Sequence, residues 1–105
     1  MNKETMIAIP RDPDDPDDFD VSVAGVERGW MGRRIRELRV NLGHSQESFA
    51  TTYGIPLATV RQYEMGRHMP PPTVRALLAV IEAEPERIAQ ILADGDRWSP
   101  QEWVA

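Results

Sequence analysis

Between Ser45 and Gly66 the chain reads SQESFATTYGIPLATVRQYEMG, and Ala50, Gly54 and Val60 stand at offsets suited to two short helices that cross steeply. Such a crossing needs a small side chain where the second helix approaches the first, and Ala50 supplies one. The chain must then reverse within about three residues, which a glycine that tolerates positive φ allows without steric cost, and Gly54 is placed for it. Phe49, Tyr53, Ile55, Val60 and Tyr63 would close a small core behind the turn and leave the other face of the second helix free. The pattern predicts a helix-turn-helix, whose chemistry is non-covalent: hydrogen bonds and apolar contacts from an exposed helix face to base edges in a duplex groove.

Nothing else in the chain offers a competing chemistry. There is no cysteine, which removes disulfides, thiolate metal sites and thiol nucleophiles and is compatible with a reducing compartment. His44 and His68 stand in loops with no serine or carboxylate constellation near them in sequence, so neither reads as a general base. Glu64 reads as a structural partner, for Arg39 or for a backbone amide, rather than as an acid catalyst. The aspartate run near the N-terminus lacks the glycine and terminal glutamate of an EF-hand, so no metal site is expected. No cofactor and no enzymatic activity are implied.

The elements that would position the helix pair follow from local signals. Ile35, Leu38 and Leu42 share one face of a first helix over Met31 to Asn41, with Gly43 where a left-handed residue ends a helix. Ser45 caps the second helix, and Glu47 lies in its first turn near the positive end of the dipole. The third runs from Leu57 to Met65 behind Pro56, which suits a helix start but has no side-chain acceptor. Met69 to Pro72 forms a stiff extended connector, and Val74, Leu77, Leu78 and Ile81 mark a fourth helix from Thr73. Pro85 opens a fifth, in which Ile88, Ile91 and Leu92 face inward before Asp94 and Gly95 stop it. Five helices predict an all-α bundle.

A net charge of -5 over 105 residues looks unsuited to a phosphate surface, but the charge is unevenly spread. Residues 1–30 carry three basic and eight acidic side chains, residues 31–92 eight basic and six acidic, and the last thirteen add -2. Up to Ile81 the central part sets Arg33, Arg34, Arg36, Arg39, Arg61, Arg67 and Arg75 against only Glu37, Glu47 and Glu64, so a local basic face survives. The segment RDPDDPDDFD packs six aspartates around prolines, with Phe19 alone available for burial. These features divide the chain into an acidic, disordered arm over 1–30, a helical domain over 31–92 and a tail over 93–105. Val21, Val23 and Val26 allow a short extended piece within the arm, interrupted by Gly25 and Gly29. No apolar run is long enough for a membrane span and no signal peptide precedes the arm, so a cytoplasmic location is expected.

The run IRELRVNLGHSQESFATTYGIPLATVRQYEMGRHMP, followed by TVRALLAVIEAEPERI, resembles the Cro/C1-type, or Xre-like, helix-turn-helix family. It is most similar to the HigA-like and MqsA-like antitoxins, in which an Arg-x-aromatic-Glu-x-Gly pattern follows the recognition helix and a Glu-x-x-Pro lies further on. Arg61, Tyr63, Glu64 and Gly66 match the first pattern, and Glu82 with Pro85 the second. The resemblance covers Met31 to Leu92 and implies a five-helix, lambda repressor-like bundle.

It also implies roles. Leu57, Ala58, Arg61 and Gln62 would face base edges, with Arg61 suited to guanine and Gln62 to adenine, while Ala58 can offer only a methyl group. Gln46 would contact phosphate at the head of the second helix beside Ser45, and Thr59, Arg67 and His68 would add backbone contacts. Arg67 equally fits a solvated charge, and Tyr63 fits core packing better than base stacking. Ile88, Ile91 and Leu92, with Trp98 and Trp103 nearby, would form a homodimer seam that sets two recognition helices about 34 Å apart on double-stranded DNA. The implied function is a repressor; the alternative is an antitoxin that also neutralises a cognate toxin through its arm.

Overall fold

The computed structural model describes residues 22–95 and Trp98, and among these it is all-α with five helices and no strand. They are α1 (Val23–Asn41), α2 (Gln46–Tyr53), α3 (Leu57–Glu64), α4 (Pro72–Ala83) and α5 (Pro85–Ala93). The expected acidic disordered arm falls, over residues 1–21, outside the described part.

The first helix begins at Val23, eight residues before the expected Met31, so the boundary placed at Trp30 lies inside a helix and no extended piece forms over Val23 to Val26. Two contacts outweigh the helix-weakening glycines. Ser22 caps the helix, its hydroxyl accepting from the Gly25 amide at 3.1 Å, and Arg28 Nε donates to the Gly66 carbonyl at 3.0 Å. Gly32 lies buried against the last turn of α3, so close that a Cβ there would overlap the Tyr63 carbonyl oxygen. Of the glycines in α1, Gly32 is the one whose missing Cβ allows the helix to lie on α3, whereas a Cβ at Gly29 would meet nothing.

Around the turn the structure follows the local signals. The Ser45 hydroxyl accepts from the Ser48 amide at 3.0 Å and caps α2. Gly54 adopts φ 71° at the end of α2, and the Ile55 amide donates to the Ala50 carbonyl at 3.1 Å, completing the reversal. Pro56 precedes α3 without a side-chain cap bond. The expected core residues Phe49, Tyr53, Ile55, Val60 and Tyr63 are all buried, joined by Ile35, Ala50, Leu78 and Ile81. Burying a side chain of this kind contributes about 1.5 to 3 kcal/mol relative to leaving it exposed, so these apolar residues dominate the stability of the bundle.

Helices α4 and α5 close the core from the other side. Pro72 occupies the first turn of α4 and Pro85 that of α5. Tyr53 reaches across from α2, its phenol donating to the Pro85 carbonyl at 3.2 Å. Burial holds that phenol above its usual ionisation range, with the nearby Glu86 carboxylate adding to the effect. The fifth helix corrects one expectation. Of Ile88, Ile91 and Leu92 only Ile88 packs against the core, while Ile91 and Leu92 are 50% and 44% exposed. Among the described residues no further helix packs over the outer side of α5, and Trp98 lines a hollow with Ile91 and Leu92 there.

Candidate nucleic-acid interface

The candidate interface is built on α3, and its geometry follows from which of its residues are buried. Successive residues turn about 100° round a helix axis, and the buried pair Val60 and Tyr63 fixes the inner side. The opposite side is then centred on Ala58, with Arg61 to one side and Gln62 to the other. Ala58 and Arg61 are exposed, Gln62 is half-buried, and Thr59 lies at the flank beyond Gln62, also half-buried. Leu57 differs from the other base-facing candidates: it lies at the edge of the outer side and packs against the core.

The inner side of α3 is tied down by a polar network. Arg39, near the end of α1, forks onto Glu64, with Nε to Oε2 at 2.8 Å and Nη2 to Oε1 at 3.0 Å. Its third nitrogen, Nη1, donates to the His44 carbonyl at 2.9 Å, and the His44 amide returns a bond to the Arg39 carbonyl at 3.1 Å. Gln46 completes the cluster, its amide nitrogen donating to Glu64 Oε1 at 3.2 Å. One carboxylate thus accepts from α1 and from the first residue of α2 while sitting at the end of α3. The hydrogen bond to Glu64 holds the Arg39 guanidinium above its ordinary ionisation range, outweighing the opposing effect of burial. Of the two partners open to Glu64 from sequence, the structure selects Arg39.

This network changes the electrostatic reading. Arg39 is neutralised within the fold and leaves the basic face, and the guanidinium of Arg75 donates to the Pro70 carbonyl at 2.8 Å. Arg34 meets Glu82 at 3.4 Å, and both side chains are largely exposed. Arg61 is the exposed cation on the outer side of α3. Gln46, expected on phosphate, spends a donor on Glu64 at the head of α2, where the Ser45 cap also sits. Arg67 and His68 follow α3 after Met65 and Gly66, with the Arg67 amide donating to the Gln62 carbonyl at 3.0 Å.

His44 corrects a further expectation. Its Nδ1 shares a 2.6 Å hydrogen bond with the Ser48 hydroxyl, so a serine is beside it after all. The ring also stands edge-on to Phe49 and Tyr53, with centroids 6.2 and 5.8 Å away. The imidazole packs the start of α2 onto the core. Among the described residues no group of three or more histidine, aspartate or glutamate side chains is placed to hold a metal ion, and no helix is long and apolar enough to cross a membrane.

Three residues escaped the sequence reading. Gly32 sets the distance between α1 and α3; its only sequence signal is its spacing from Gly29, three residues apart on one helix face. Arg28 belongs to the bundle and not to an arm. Met69 comes next to α3 through the connector: Ala58, Thr59, Gln62, Tyr63, His68 and Met69 line one shallow hollow beside the outer face. Arg61 and Leu57 lie outside it.

A family model described as a helix-turn-helix domain matches residues 30–91, which includes most of α1 and all of α2, α3 and α4. No curated protein and no solved structure matches the chain significantly.

Proposed function

The chain belongs to the helix-turn-helix domain family, and from that premise we propose that it is a sequence-specific regulator of transcription that binds double-stranded DNA as a repressor, one homodimer on each palindromic operator. The observation that carries this reading is the division of α3. Val60, Tyr63 and Glu64 hold its inner side, while Ala58, Arg61 and Gln62 are presented together on the other. Arg61 can donate two hydrogen bonds to a guanine and Gln62 can pair twice with an adenine, each worth about 1 to 3 kcal/mol of discrimination. Arg61 and Gln62 project about 100° apart round the axis, so they address neighbouring base pairs and not one.

Arg61→Ala and Gln62→Ala are each expected to lower the preference for the operator over random DNA by about 5- to 150-fold. The operator is first obtained by selecting bound sites from a random library, and both affinities are measured at one salt concentration. An equal loss on every sequence would mean that these side chains touch only phosphate. The exposed Ile91 and Leu92 on α5 favour the homodimer, because paired uncovered apolar groups of this kind are suited to a self-complementary contact. Sedimentation showing only monomer at micromolar concentration, together with single half-site footprints, would remove the dimer from the proposal.

A second reading, an antitoxin that also neutralises a basic toxin protein, rests on the six aspartates between Pro10 and Asp20. Deleting residues 2–20 tests it and leaves the Ser22 cap and the Arg28 bond to Gly66 intact. Capture of a basic protein encoded beside this chain should be lost. Undiminished capture would sink the neutralising role, and tighter binding to random DNA would mark the arm as an electrostatic screen.

A further inference from the structure

Beside Gln62, the hollow described above has walls of a particular chemistry. Among its lining residues Ala58 carries a methyl group, Thr59 a γ-methyl and Met69 a thioether, beside the buried Tyr63 and the exposed His68. Such a lining suits a small apolar projection, and Met adapts its shape to one readily. The hollow also has a firm edge. Met69 precedes Pro70, whose side chain is fully buried, and the Pro70 carbonyl is held by Arg75 at 2.8 Å. Met69 itself stays exposed at 36%, so its side chain is anchored through the backbone while remaining open to a ligand.

In the major groove the apolar projection available is the 5-methyl group of thymine. We propose that the hollow between α3 and the Met69 connector is a thymine-methyl pocket, and that it makes Met69 a specificity-determining residue from outside the recognition helix. This deepens the DNA-binding reading above and rests on it. Gln62 lines the same hollow, so the thymine belongs to the base pair that Gln62 reads or to the one next to it. Arg61 lies outside the hollow, on the other side of Ala58, and the guanine–cytosine pair suited to it carries no thymine methyl. Each half-site therefore carries one methyl-dependent thymine, on the Gln62 side of the arginine contact.

The test uses the full chain and its selected operator, with each thymine replaced in turn by deoxyuridine, which keeps every hydrogen-bonding group and removes only the methyl. One position per half-site should weaken Kd by about fourfold, the equivalent of about 0.8 kcal/mol for one buried methyl-sized group. In Met69→Ala and in Ala58→Gly that position should lose most of its sensitivity, while the other thymines stay unaffected. The variants are compared by their thymine-to-deoxyuridine ratio, which cancels any general loss of affinity, and a melting curve confirms that each is folded. Specific binding with no deoxyuridine-sensitive position would overturn the pocket and leave the DNA-binding reading standing. A sensitive position that responds equally in native and variant chains would also overturn it, since the methyl would then be read elsewhere. Absence of any sequence preference would overturn the parent reading, and the pocket with it.

Discussion

Gly32→Ala is expected to cost about 3 kcal/mol, the upper end of what overpacking usually costs, and to lower the thermal midpoint by about 12 to 24 °C for a domain of this size. The Cβ would overlap the Tyr63 carbonyl oxygen and lie 3.0 Å from that of Glu64. Both obstacles are backbone atoms in the last turn of α3, so no rotamer change relieves them and α1 must move outward. That movement strains the Arg28 bond to Gly66 and the Arg39 fork on Glu64, which lie on either side of Gly32 along α1. Gly29, one turn earlier, gives the opposite sign. A Cβ there meets nothing within 4 Å, so Gly29→Ala should stabilise the chain by about 0.4 to 1 kcal/mol through the unfolded state. Thermal denaturation followed by circular dichroism measures both. If Gly32→Ala melts with the native chain, α1 and α3 do not meet at this glycine.

The contrast between these two glycines shows where local sequence rules stop. The α2–turn–α3 unit was legible because its determinants are close in sequence: Ala50, Gly54 and the Ser45 cap act within about a turn or two of one another. The start of α1 was not legible. Gly25 and Gly29 weaken a helix in isolation, and what overcomes them is packing against residues more than thirty positions away, which no local pattern encodes. The period of α5 correctly grouped Ile88, Ile91 and Leu92, yet period says which residues share a helix and not whether another element covers them. At the candidate interface Ala58, Arg61 and Gln62 could be named from sequence, whereas Met69 could not. It joins the hollow only because the run from Pro70 to Pro72 fixes the path of the connector, a tertiary consequence of the buried Pro70.

Removing one partner of the Arg39–Glu64 pair is expected to have the other large effect. Their side chains are 12% and 6% exposed, so Arg39→Ala strands a carboxylate, and Glu64→Ala a guanidinium, in a poorly solvated place. Each should cost about 3 to 5 kcal/mol. Truncating the exposed Arg34–Glu82 pair should cost at most about 1 kcal/mol and vanish in high salt, because water already solvates both ends. Because Glu64 raises the Arg39 pKa from its ordinary value, the contribution is fully present below that ordinary value and is lost only as the pH rises through the still higher folded one. Alkaline titration within an ordinary range should therefore leave the pair intact. The double variant Arg39→Met with Glu64→Leu separates stability from positioning. Replacing both charges by apolar groups should recover most of the melting temperature, yet Gln46 then loses its acceptor and α3 its fixed link to α1 and α2. Operator preference should stay low in a chain that is stable again. Recovery of both together would mean that the apolar core alone orients α3, and single variants within about 0.5 kcal/mol of native, the range of ordinary surface substitutions, would mean that the pair is solvated.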